Sequence, residues 1–146
     1  MKDFVNLLDK VKSAIVPLWA ECGVPPSLQD TLASHIVEEM LIAYKLASIA
    51  CKDPGKVLTL VLSHEVAQGL VELREAREEF STSDGLEAIL ARLSHELALV
   101  VQAKRYARMG LKVENVLKEH VSKVLDEAAR IEDGGIAQAV HEILSA

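Results

Sequence analysis

Three Ser-His pairs carry most of the chemistry this sequence offers: Ser34-His35-Ile36-Val37, Ser63-His64-Glu65-Val66-Ala67 and Ser94-His95-Glu96-Leu97-Ala98. The histidines are spaced 29 and 31 residues apart, and each lies in a segment whose apolar residues recur at helical intervals. Three imidazoles from three helices can converge in a bundle core, a normal place to build a metal site. Imidazole suits zinc, iron, nickel or copper, and a carboxylate such as Glu65 makes a mixed N/O set that manganese or iron also accepts. The alternative is that each histidine is a satisfied core or surface residue and that the serines coincide by chance. His64 with Gln68, and His35 with Glu39, stand four apart and share helix faces, so each pair also suits a local hydrogen bond. His120 and His141 fall in the charged C-terminal part and read as surface residues.

The elements that must position these side chains are all helical in period. Phe4, Leu7, Leu8, Val11, Ile15, Leu18 and Trp19 form one apolar face about five turns long, with Pro17 placed to kink or shorten it. Gly23-Val24-Pro25-Pro26-Ser27 is a turn, and Ser27 with Asp30 resembles a capping box opening a helix over residues 28–51. Asp53-Pro54-Gly55 breaks that helix, and Pro54 suits the first position of the next, read over 54–79. Its run Val57-Leu58-Thr59-Leu60-Val61-Leu62 is short enough to be a buried strand, but no hairpin turn signals flank it. Further helices follow over 86–109, with Gly110 at the C-terminus, and over 113–131, and a short one follows Asp133-Gly134-Gly135. The expected fold is all-α: five or six helices in one compact bundle spanning 1–146.

Composition bounds the function classes. The 146 residues are 50% hydrophobic and 26% charged, enough for a real core, and the formal net charge is −6. Lys104, Arg105, Arg108 and Lys112 form only a small basic patch without an aromatic platform, so a nucleic-acid role is the weakest option. The longest apolar runs are far below the roughly 20 residues that cross a bilayer. Cys22 and Cys51 cannot make a disulfide framework, and Met1-Lys2-Asp3-Phe4 does not read as a signal peptide, so a cytoplasmic setting is expected. The wide apolar faces of the first helix and of the C-terminal pair suggest a homodimer.

At the histidines the chain resembles the HD-domain phosphohydrolases, specifically the compact helical branch similar to 5'-deoxynucleotidases. The similarity runs over residues 17–110. Trp19 and Gly23-Val24 match an early segment in which Cys22 stands where the family has arginine, and His35 matches the first metal-ligand histidine. Asp53-Pro54-Gly55-Lys56-Val57-Leu58 matches the lead-in to the His-Asp pair, whose place His64-Glu65 takes. His95 stands where the last aspartate belongs, and Gln102, Tyr106 and Gly110 follow in register.

The resemblance implies a metal set of His35, His64, Glu65 and His95 holding a divalent transition metal: zinc, manganese, iron, cobalt or nickel. It implies a phosphomonoesterase acting on a small nucleotide-like phosphate. Glu65 and Gln68 fall at catalytic positions, and Lys104 and Arg105, beyond His95 on the same helix, could hold phosphate or simply complement a solvated helix end. The departures are chemical. Gln68 replaces an acidic residue and can hydrogen-bond but not act as a general base, and Leu73 replaces an aspartate. The arginine missing at Cys22 removes a bidentate phosphate clamp. A degenerate relative that binds metal or ligand without turnover, or a helical dimerisation module, are the alternatives. Cys22 as a nucleophile has no visible base beside it.

Overall fold

A computed structural model of the chain describes residues 1–67 and 69–146, and these form an all-α bundle of eight helices. In order they are α1 (Lys2–Ser13), α2 (Pro17–Glu21), α3 (Leu32–Ile49), α4 (Pro54–Val66), α5 (Arg74–Thr82), α6 (Leu86–Arg108), α7 (Glu114–Ala128) and α8 (Gly134–Ser145). Two single 3-10 turns, Pro26–Leu28 and Val71–Leu73, lead into α3 and α5. No described helix is long and apolar enough to cross a membrane.

The count exceeds five or six because two expected helices are each split. Ala14 is extended (ψ 147°), so the first apolar face divides, and Pro17 opens α2 at its first turn. The 54–79 segment divides after Val66. There Gly69 lies so close to α1 that a Cβ would fall 2.6 Å from Leu7 Cδ1, a packing requirement invisible to local periodicity. The start of α3 also moves: Thr31, not Ser27, caps it, accepting from the Ser34 amide at 3.1 Å. At α4 the expected solution holds, with Asp53 Oδ1 accepting from the Gly55 amide at 2.9 Å and Pro54 in the first turn.

Helices α3, α4 and α6 pack mutually as the inner triangle, with α7 along α6, α5 against α4 and α6, and α8 closing on α3, α6 and α7. Their core is aliphatic: Leu46, Val57, Leu60, Val61, Leu90, Leu93, Leu97 and Val100 are fully enclosed, with Ala43, Ala47, Ala88 and Ala91 letting the helix axes approach. A second cluster gathers Trp19, Val24, Leu99, Ala103, Tyr106 and Val113. There the Tyr106 ring meets Trp19 edge-on at 5.0 Å, and its hydroxyl accepts from the Asp30 amide and donates to the Leu28 carbonyl. The apolar faces of the C-terminal pair are spent inside the core, where Val124, Ile136 and Val140 are buried. By contrast α1 buries no residue at all.

Candidate metal centre

The inner triangle brings His35, Glu39, Glu65 and His95 together. One ligand-type atom from each lies within 4.8 Å of all the others. The inward stripe of α3 runs His35, Ile36, Glu39, Ala43, Leu46 and Ala47, so the histidine and glutamate stand one turn apart on the buried face. Glu65 comes from the last turn of α4 and His95 from the second quarter of α6. His35 Nε2 lies 3.5 Å from Glu39 Oε2 and 3.7 Å from Glu65 Oε1. His95 Nδ1 lies 3.5 Å from Glu39 Oε1 and 3.4 Å from Glu65 Oε1.

Burial makes these spacings costly. Glu39 is 0% and His35 3% exposed, yet both carboxylate oxygens of Glu39, Glu65 Oε1 and His95 Nδ1 have no hydrogen-bond partner. A buried polar atom left unpaired costs on the order of 1–3 kcal/mol, more when charged. Unpaired atoms of three residues in a cluster this tight are what a cation would satisfy, so this His/Glu cluster could hold a metal ion.

The charges in the cluster bias one another. Burial raises the Glu39 carboxyl above its ordinary range, more than the nearby imidazoles lower it. Burial also works against the Glu65 carboxylate, but His35 and His95 overrule it and hold it well below the usual range. His95, although buried, is pushed up to about 10 by Glu39 and Glu65. His64 is pushed down to about 4, by burial first and then by the charge of His95.

Of the residues expected at the centre, His35, Glu65 and His95 meet. His64 stands beside them: its Nε2 is 3.6 Å from Glu65 Oε1, its ring stacks on Phe80 at 4.4 Å, and it is one-third exposed. Glu39 takes the fourth place in the tight set, and its signal was the His-x-x-x-Glu spacing that equally suited a hydrogen bond. The serines of the repeat stay outside the site: buried Ser63 and Ser94 donate back to the Leu60 and Leu90 carbonyls of their own helices. Gln68 lies outside the described residues.

Lys104 and Arg105 lie nine and ten residues past His95, roughly 14 Å along α6 at 1.5 Å per residue. Both side chains are engaged elsewhere. Lys104 Nζ donates to the Ile143 and Leu144 carbonyls of α8, and Arg105 Nη1 donates to Glu38 Oε2 at 2.6 Å. Cys22 packs against the Trp19–Tyr106 cluster, and burial followed by Glu21 pushes its thiol up, away from the thiolate a nucleophile needs. His120 is not the surface residue its charged surroundings suggest: it is buried, with Nδ1 2.5 Å from Glu96 Oε2, because α7 lies along α6. His141 is exposed, as expected.

The fold is similar to that of a conserved hypothetical protein from Pyrococcus furiosus, at a TM-score of 0.82 and 20% identity over 100% of both chains. It also resembles a predicted coding region from Archaeoglobus fulgidus, at a TM-score of 0.55 and 18% identity over 99% of this chain and 95% of that one. At such identities the likeness establishes the shared fold alone. No protein-family model matches the chain, and no curated protein does.

Proposed function

We propose that this chain is a metal-dependent phosphohydrolase acting on a small nucleotide-like phosphate monoester. The observation that carries this reading is the convergence of His35, Glu39, Glu65 and His95, with buried donor atoms of Glu39, Glu65 and His95 that lack hydrogen-bond partners. The resemblance to HD-domain phosphohydrolases supplies the reaction class. That family uses two histidines and two aspartates, and this set has two histidines and two glutamates: the acid missing at His95 is compensated at Glu39, one helix away. An N/O set of this kind suits zinc, manganese, iron, cobalt or nickel. A divalent ion there polarises phosphoryl oxygens and acidifies a bound water. The chain's own part is to fix the donors on three packed helices and to keep bulk water from His35 and Glu39.

A second reading, metal binding without turnover, is favoured by Leu73, which stands where the family has an aspartate and can neither accept nor donate a proton. A homodimer belongs to either reading.

Elemental mass spectrometry on untagged protein tests the centre. Near one equivalent of a transition metal is expected, lost in His95→Ala and strongly reduced in Glu39→Gln. His64→Ala should retain it, which separates the tight four-donor set from the one the resemblance alone implies. Protein that takes up no metal even on reconstitution would overturn the proposal. Phosphate release from nucleoside monophosphates by the loaded protein then separates hydrolysis from binding without turnover.

A further inference from the structure

Two cavities reach the donor cluster, and they differ in whether their Lys and Arg side chains are already paired. The first, about 310 Å³ between α5, α6 and α7, exposes His64 and His95. Its cations are already committed: Arg92 Nε lies 2.9 Å from Glu127 Oε1, and Lys123 Nζ 2.7 Å from Glu119 Oε1. Glu96, Glu127 and Asp126 also line it, and Asp126 has no ion-pair partner among the described residues. Neither its arginine nor its lysine is therefore free of a carboxylate partner to meet an incoming anion.

The second cavity, about 400 Å³, lies between α1, α3 and α4 and reaches Glu65. Asn6 and Lys10, one turn apart on one face of α1, line it. Lys10 has no ion pair or hydrogen bond from its ammonium among the described residues. Leu7, Val11, Leu32 and Val66 make an apolar wall beside these polar groups. Asp3, two turns from Lys10 and roughly 10 Å away along the helix axis, offers an acceptor at the far rim without neutralising the lysine. The volume lies within the range of about 300–1,000 Å³ typical of small-molecule sites.

We propose that this cavity seats the phosphorylated ligand, with Lys10 and Asn6 of α1 holding its phosphate against the donor cluster at Glu65. This rests on the reading of the cluster as a metal centre. An apolar wall beside a cation and a hydroxyl acceptor fits a nucleoside monophosphate: base on the aliphatic side chains, sugar hydroxyl toward Asp3, phosphate between Lys10 and Glu65. Lys10 thereby supplies the positive charge that Cys22, packed away in the Trp19–Tyr106 cluster, does not.

Calorimetric titration with inorganic phosphate and with adenosine 5'-monophosphate tests this, on metal-loaded and on metal-free protein. Lys10→Ala should weaken binding of both at least tenfold, Lys10→Arg should stay within about threefold, and Lys123→Ala, at the other mouth, should bind as the parent does. Because α1 buries no side chain and Lys123 is exposed on α7, these variants should fold, which circular dichroism checks. Metal content should be unchanged in all three. Binding that survives Lys10→Ala, that is lost in Lys123→Ala instead, or that is absent from the parent in both forms overturns the proposal. Absence of metal alone would fail the centre, while the lysine dependence would still be read in the metal-free titration.

Discussion

Glu39 shows how a residue with an ordinary local explanation becomes chemical once its helix is packed. Alone, His35 and Glu39 are an i, i+4 pair; packed against α4 and α6 they are two of four converging donors, and both oxygens of Glu39 have no hydrogen-bond partner. The protonation of that set makes a prediction. In the metal-free protein His95 is held protonated up to about 10 by Glu39 and Glu65, whereas a coordinating imidazole must be neutral. Binding at neutral pH therefore expels the His95 proton. The sign is fixed: each expelled proton makes the apparent zinc affinity rise about tenfold per pH unit, up to the pH at which the metal-free group titrates by itself. Calorimetry between pH 6.5 and 8.5, in buffers of different ionisation enthalpy, should find a proton released per metal. A pH-independent affinity would mean that His95 is not a ligand.

At the scale of elements, periodicity carried most of the fold, because α3, α4, α6 and α7 bury stripes at three- and four-residue steps against one core. What it missed depends on residues far away in sequence. After the break at Val66, Gly69 meets Leu7 of α1 too closely for any side chain, and the buried state of His120 follows from α7 lying along α6. Three of the four donors were legible because the Ser-His repeat marked them, although its serines turn out to be compact, self-satisfied packing residues. The fourth was not, since no local pattern distinguishes a ligand glutamate from a hydrogen-bonding one. Tyr106 illustrates a long-range tie that can be measured. Its hydroxyl serves both the Asp30 amide at 2.8 Å and the Leu28 carbonyl at 2.7 Å, fixing the approach to α3 just before its donors. Tyr106→Phe leaves those two backbone groups to find other partners and should cost about 1–3 kcal/mol in urea unfolding. A variant as stable as the parent would show that water replaces the hydroxyl at no cost.

For the whole molecule, the inner face of α3 holds donors while its outer face is apolar and uncovered. Val37, Leu41 and Tyr44 are 58%, 67% and 56% exposed and recur at i, i+4 and i+7, beside a groove of about 730 Å³ floored by Ile42, Val101 and Ile143. A second copy of the chain is the occupant to test on this stripe. If two α3 helices pair antiparallel about a two-fold axis at Leu41, Lys45, which has no ion pair within its own chain among the described residues, comes within a turn of Glu38 of the other copy, whose carboxylate already meets Arg105. Such an interface is isologous, so one favourable contact occurs twice. A dimer through α3 would leave the C-terminal pair, whose Val124, Ile136 and Val140 are buried in the core, outside the interface. Light scattering on the eluting protein at tens of micromolar should give twice the 15.9 kDa of the chain. Leu41→Glu, which sets two like charges at the axis, should give the monomer with unchanged helicity. A parent that runs as a monomer, or a Leu41→Glu that still dimerises, would rule out this interface. With α3 clamped on its outer face, His35 and Glu39 would be held on a helix supported from both sides, so the same Leu41→Glu variant should also bind metal more weakly than the dimer does.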